Sequence, residues 1–188
     1  MARARSAEKR EAILRSAARE IARVGLGAST AKIAAGAGLA EGTLFTYFAT
    51  KDDLFNELYV TLKTETYRRI HEGFPLKGSL RERAQHIWTA YLHWAIEKPE
   101  DREVSVLLNL CSQVTAETRK SLEALHGPIQ KTVDELGKLG AFANLPKGFA
   151  ASAMIAMQEA VLETAAKHPR GKEKLIQQAF AAFWRLAE

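Results

Sequence analysis

The chain has one cysteine, Cys111, among its 188 residues, which excludes an internal disulfide and any multi-cysteine zinc site. With Leu107, Leu108 and Leu110 around it, the thiol reads as a small buried apolar group and not as a redox centre. No apolar run is long enough to cross a bilayer, and the basic start MARARSAEKR leads into a mixed helix and not an apolar signal core. A soluble cytoplasmic protein without a membrane role is therefore expected. Catalytic signatures are missing too, since Ser, His and Asp occur without a nucleophile elbow or a glycine-rich phosphate loop. His86 and His93 share one face of a helix and Glu97 follows at i+4, but no further ligand has suggestive spacing. They read as a surface imidazole pair. Neither an enzyme nor a metal or other cofactor is expected.

What is present is apolar mass and a local excess of positive charge. At 47% hydrophobic residues the chain can bury a good core, as one domain or as a small domain joined to a larger one. Lys and Arg number 27 against 22 Asp and Glu, and residues 1–24 alone carry seven basic and three acidic side chains. The excess lies beside the stretch STAKIAAGAGLAEGTLFTYFATK, Ser29 to Lys51. Ser29 can cap a first short helix with Ile33, Ala34 and Ala37 on its inner face. Gly38 can take the positive φ that ends it, and Leu39 can plug the angle before the chain restarts. A second helix from about Glu41 to Tyr47 would point Leu44 and Phe48 inward. This is the geometry of a helix-turn-helix whose second helix enters a DNA major groove.

The residues of this stretch also resemble a known family. The pattern I-A-x-x-A-G-[LV]-x-x-G-T-L-[FY]-x-Y-F-x-[ST]-K-[DE]-x-L is similar to that of the TetR family of bacterial transcriptional repressors. Here it is carried by Ile33, Ala34, Ala37, Gly38, Leu39, Gly42, Thr43, Leu44, Phe45, Tyr47, Phe48, Thr50, Lys51, Asp52 and Leu54. Two departures stand out: the Gly25 to Ile33 loop is one residue shorter than usual, and Ala40 replaces the more common Ser N-cap.

Helical periodicity predicts an all-α chain of about nine helices. A first helix runs from after Ser6 to about Val24 on the stripe Ile13, Leu14, Ala17, Ala18, Ile21 and Val24. With the two helices of the motif it would enclose a core of Leu44, Phe45 and Phe48. Thr50 caps a fourth helix reaching about Glu72, and Gly73 to Ser79 is the clearest boundary. With the resemblance, this implies a DNA-binding domain over 7–67, with its helix-turn-helix at about 29–48, and a helical effector-binding and dimerisation domain over 74–188. Ser79 caps a fifth helix ending before Pro99, and a sixth starts near Glu100. A seventh, capped by Thr115, bends near Gly127 and Pro128 before ending around Gly140. Two apolar helices, Lys147 to Lys167 and one after Gly171, complete the chain.

Function follows from these parts. Positioning contacts to phosphate fall to Ser29 or Thr30 and, by the resemblance, to Thr43, Tyr47 and Lys51. Base reading falls to Ala40, Glu41, Gly42 and Thr46, with Glu41 able to accept from cytosine N4. Arg3 and Arg5 lie in an N-terminal arm that either reaches phosphates or the minor groove, or is a solvated tail. The last two helices are either plain core or an oligomer surface, built from Ala153, Met157, Ala160, Val161, Phe180, Phe183 and Trp184. The resemblance, which implies a four-helix dimer interface, favours a homodimer. It also implies an apolar cavity for an unknown small-molecule effector, with Trp88, Tyr91, Trp94, Leu107 and Met157 as walls and Asn109, Gln113 and Gln158 as polar fixers. Together these describe a repressor that holds a palindromic double-stranded DNA operator as a dimer until an effector releases it. The competing reading is a helical dimer that binds a small molecule or protein without specific DNA binding; Ala40 and the short loop keep it open.

Overall fold

The computed structural model describes residues 2–188, with side chains from Ser6 onward. Ten α-helices make up these residues: α1 Ala2–Val24, α2 Thr30–Gly36, α3 Glu41–Tyr47, α4 Lys51–His71, α5 Leu80–Glu97, α6 Pro99–Asn109, α7 Ala116–Lys120, α8 Glu123–Leu136, α9 Phe149–Lys167 and α10 Lys172–Trp184. Short 3-10 turns at Gly25–Gly27 and Gly140–Asn144 join α1 to α2 and α8 to α9. Helix α1 begins at Ala2, earlier than the expected start after Ser6. The side chains of Arg3 and Arg5 lie outside the described residues. The expected seventh helix is two, α7 and α8, broken at Ser121 and Leu122, while Pro128 is accommodated inside α8.

Local chemistry sets several of these ends. At α4, Thr50 Oγ1 accepts from the Asp53 N–H (3.0 Å), and the Asp53 carboxylate accepts from Thr50 N–H (3.0 Å), a reciprocal capping box. Ser79 and Glu82 repeat the arrangement at α5, with bonds of 2.7 and 3.2 Å. The backbone and hydroxyl of Ser79 hold the Glu82 carboxyl below the usual carboxylate range. Thr115 Oγ1 accepts from Thr118 N–H at 3.1 Å and opens α7.

Contacts divide the chain into two compact units. The first runs to Glu65 and takes in Lys98–Leu122; the second holds Thr66–Glu97 and Glu123–Glu188. The division falls inside α4 and not at Gly73 to Ser79, because α6, with Val104, Ser105 and Leu108 buried, packs on α1 and the first 3-10 turn. The core of the first unit includes Ile13, Ala17, Ile21, Ile33, Ala34, Leu44, Phe48, Leu54, Phe55 and Leu58. Phe45 is not part of it: at 42% exposure it faces outward, one helical position away from buried Leu44. Cys111 is buried, and its thiol donates to Gln113 Oε1 at 2.8 Å.

In the second unit α5 packs against α8, α9 and α10. Trp88 stacks on Phe183 with centroids 5.7 Å apart, and Phe142 and Phe180 complete an aromatic cluster around them. Fully burying side chains of this size contributes about 1.5–3 kcal/mol each, which makes this cluster the main source of cohesion in the unit. His86 is half-buried here, bonded to the Ile70 carbonyl at 2.7 Å, and His93 pairs with Glu173 at 3.0 Å. The two therefore do not form a surface pair. Among the described residues no three or more His, Cys, Asp or Glu side chains gather as a metal ion would need.

Candidate DNA-binding site

Helices α2 and α3 have seven residues each, far too short to persist alone, so their ends and backing decide their geometry. Helix α2 ends in a Schellman motif. Leu39 N–H donates to the Ala34 carbonyl (2.9 Å) and Gly38 N–H to the Ala35 carbonyl (3.0 Å), with Gly38 at φ 72°. Gly36 serves close approach: a Cβ there would sit 2.4 Å from Ser16 Oγ, whose hydroxyl donates to the Ile33 carbonyl at 2.8 Å. This pins α2 to α1. Leu44 and Phe48 anchor α3 from its inner side.

Arg10 secures the far end of α3. Its guanidinium donates to the Tyr47 carbonyl (3.1 Å), forms a two-armed ion pair with Glu57 and lies 4.7 Å from the Phe48 ring centre. The Glu57 carboxylate raises the Arg10 pKa above its ordinary value. One side chain thus joins α1, the end of α3 and α4. Asn56 on α4 gathers the segment before α7: its amide donates to the Gln113 carbonyl (2.8 Å), and its oxygen accepts from Thr115 N–H (3.0 Å) and Thr118 Oγ1 (2.5 Å). Sequence spacing gave no sign of Gly36, Arg10 or Asn56, because the partner of each lies far along the chain.

The residues proposed to read bases stay on the outer face. Ala40, Glu41, Gly42 and Thr46 are exposed, and Thr43 and Tyr47 are half-buried at its edge. Glu41 has a second task, since its carboxylate accepts from Thr30 Oγ1 at 2.5 Å and so joins the start of α3 to the start of α2. Thr46 Oγ1 bonds back to the Thr43 carbonyl at 2.7 Å. Lys51 is not a free arm: its ammonium donates to the Leu26 carbonyl at 2.9 Å and lies 5.2 Å from the Phe55 ring centre. Ser29 occupies the N-cap position of α2 but its side chain makes no capping bond, and Ala40 offers none to α3.

The effector and dimer candidates scatter. Trp88 is wholly buried in the aromatic core, donates its indole N–H to the Ile176 carbonyl at 3.0 Å, and accepts from Gln158 at its own carbonyl. It sits within the buried core cluster of the unit. Tyr91 and Met157 are half-buried in the second unit. Trp94 is buried and its indole N–H has no partner. Leu107 and Asn109 belong to the first unit, where Asn109 Oδ1 accepts from the Tyr59 hydroxyl at 3.3 Å. Of the interface candidates, Val161, Phe180, Phe183 and Trp184 are buried within the unit itself. Ala160 is exposed and Ala153 and Met157 are half-buried.

An all-helical chain whose glycine-hinged helix pair presents a polar outer face defines a helix-turn-helix DNA-binding protein. Residues 13–58 match the model for bacterial regulatory proteins of the tetR family. A chain from Shewanella sp. PV-4, assigned to the tetR family of transcription regulators, is 28% identical, with 94% of this chain and 96% of that one covered at a TM-score of 0.77. A TetR family transcription regulator from Marinobacter aquaeolei VT8 superposes with a TM-score of 0.85 over 98% of this chain and 97% of that one, at 23% identity. The transcriptional regulator FadR from Bacillus subtilis, solved in complex with stearoyl-CoA, is 19% identical, with 95% of this chain and 97% of that one covered and a TM-score of 0.65. Residues 13–58 thus carry a DNA-binding region of the tetR type, and the chain is similar over nearly its whole length to solved TetR-family transcription regulators. None of the described helices is long and apolar enough to cross a membrane.

Proposed function

We propose that this regulator is a repressor that binds a near-palindromic operator as a homodimer and leaves it when a small-molecule effector binds. The observation that carries this is the recognition helix itself: Glu41, Gly42 and Thr46 stand exposed on α3 while Leu44, Phe48 and Arg10 fix it from behind. Residues 7–67 would read DNA, and 74–188 would supply the effector and dimer surfaces, with α6 and α7 packing onto the DNA-reading part. The side chains of Thr43 and Tyr47, the Ser29 and Thr30 end of α2, and the remaining donors of Lys51 would hold phosphates.

For the dimer, the outer side of α9 is the better surface. Phe149, Ala156 and Ala160 share one exposed side, with Ile155 next to them at 56% exposure and half-buried Ala153 and Met157 at its border. Small residues there let a second helix approach closely. Two recognition helices would then enter successive major grooves about 34 Å apart. The stearoyl-CoA seen in the FadR structure supports an effector with a substantial apolar part. The unpartnered indole N–H of Trp94 supports a contact to an acceptor on it. A tenfold loss of operator affinity needs only ~1.4 kcal/mol of effector preference between two states. Helix α4, continuous from Lys51 to His71, is the covalent route for that preference.

Gel-shift titration against fragments of the source genome tests the reading. Tight, salt-sensitive binding to a near-palindrome is expected, and binding no stronger than to unrelated DNA would refute it. Lys51→Ala should weaken binding to all sequences alike and flatten the salt dependence, whereas Glu41→Ala should change which bases are preferred. Equal changes in base preference would refute this sorting of contacts.

A further inference from the structure

Three half-buried cations in this fold have a carboxylate opposite them. Arg10 pairs with Glu57, Arg69 with Glu97 (2.6 Å) and Arg83 with Glu135 (2.5 Å). Lys63 on α4 and Arg119 on α7 are different. Both are half-buried and both gather at the ring of Tyr59, with the Lys63 ammonium 5.6 Å and the Arg119 guanidinium 5.3 Å from its centre. Arg119 has only neutral acceptors, at long distances: the Tyr59 hydroxyl (3.5 Å), Asn109 Oδ1 (3.4 Å) and the Cys111 carbonyl (3.3 Å). Among the described residues neither cation forms an ion pair.

Two like charges held together out of full solvent are unfavourable unless an anion is brought to them. Burial, and then the charge of Arg119, push the Lys63 ammonium down to about 8, and no carboxylate acts in the opposite direction. Both cations pack beside the one buried ring of Tyr59, and the charge of Arg119 is felt at Lys63. Arg119 retains unused donors in a planar fork suited to carboxylate or phosphate oxygens. Its Asn109 partner was among the effector candidates, though as a polar fixer without any charge in view.

We propose that Lys63 and Arg119 are the docking point for an anionic group, a carboxylate or a phosphate, on the effector. The proposal rests on the effector-responsive reading above. It also places the pair where its occupation bears on DNA binding, since Lys63 lies on the same helix as Asn56 and Glu57, and Arg119 follows the Thr115–Thr118 turn that Asn56 holds.

Thermal unfolding of the full chain at pH 7 in inorganic phosphate, hexanoate or chloride at matched ionic strength tests it. At least one of the two oxyanions should raise the Tm of the unmodified chain above its value in chloride. Selectivity for phosphate points to a phosphate ester, and selectivity for hexanoate to a carboxylic acid. Arg119→Gln and Lys63→Gln should each weaken the apparent anion affinity about tenfold or more, while Arg119→Lys keeps part of it and exposed Lys120→Gln keeps all of it. No Tm difference from chloride, or a difference that survives Lys63→Gln/Arg119→Gln, overturns the proposal. So does a loss of operator affinity in these variants without any oxyanion, which would make the pair a DNA contact. Gel shifts of the unmodified chain report separately on the regulator reading, so its failure would be recognised as such.

Discussion

The two units obtain their structure in different ways. In the first, α2 and α3 are short, and single atoms decide their placement: the missing Cβ of Gly36, the positive φ of Gly38, the Ser16 hydroxyl and the Arg10 guanidinium. In the second, α5 and α9 span 18 and 19 residues and volume decides, with Trp88, Phe142, Phe180 and Phe183 packed as stacked and tilted rings. A unit held by special positions leaves a pattern in its sequence. A unit held by bulk tolerates many solutions and leaves little.

The largest expected effect tests the second half of that contrast. Trp88→Ala should destabilise the chain by about 3–5 kcal/mol in urea or thermal unfolding, the range for emptying a large aromatic from a closed core. If Trp88 lined an effector cavity, the loss would be far smaller and ligand binding would suffer instead. The indole N–H bond to the Ile176 carbonyl adds to the expected loss, since truncation leaves that carbonyl without its donor.

Glycine gives the sharper test of the first unit. Gly38→Ala forces a side chain into the left-handed region and should cost about 1–2 kcal/mol in thermal unfolding. Gly42→Ala should act oppositely. Gly42 is helical within α3, and a Cβ there meets nothing within 4 Å, so stability should rise by about 0.5–1 kcal/mol while operator affinity falls in gel shifts. A matched fall in stability for both variants would show that Gly42 serves the fold and not the approach to DNA.

This contrast explains what the sequence made legible. The bounds of α3, the glycine closure of α2 and the Thr50 and Ser79 caps follow from local residue types, and all were readable without coordinates. Phe45 was not, because a seven-residue helix gives too few turns to tell inner from outer aromatic positions. Nor were Phe180, Phe183 and Trp184: an apolar helix reads the same whether its own chain or a second copy covers it. Arg10 reaches Glu57 across 47 positions, Asn56 reaches Thr118 across 62 and Arg119 reaches Tyr59 across 60, contacts that no periodicity reports.

A comparably small effect is expected at Lys63, and its pH dependence distinguishes an unpaired cation from a merely packed one. Its folded pKa of about 8 lies below the ordinary lysine value of 10.5, so the folded chain holds this proton less firmly than the unfolded chain does. Below pH 8 both states carry the charge and the folded state bears the full penalty. Between about 8 and 10.5 the unfolded state binds more protons, so this residue's share of stability rises with pH, and above 10.5 the penalty is gone. Lys63→Met should therefore stabilise the chain by on the order of 1 kcal/mol at pH 7, discounted for partial solvation, and the gain should fade as pH climbs through that window. Saturating the site with an oxyanion that binds there should shrink the gain at pH 7 as well, because a paired ammonium no longer bears the penalty. A gain that is constant from pH 7 to 10.5 would mean that methionine simply packs better against Tyr59, and a loss at pH 7 would mean that the ammonium already has a stabilising partner.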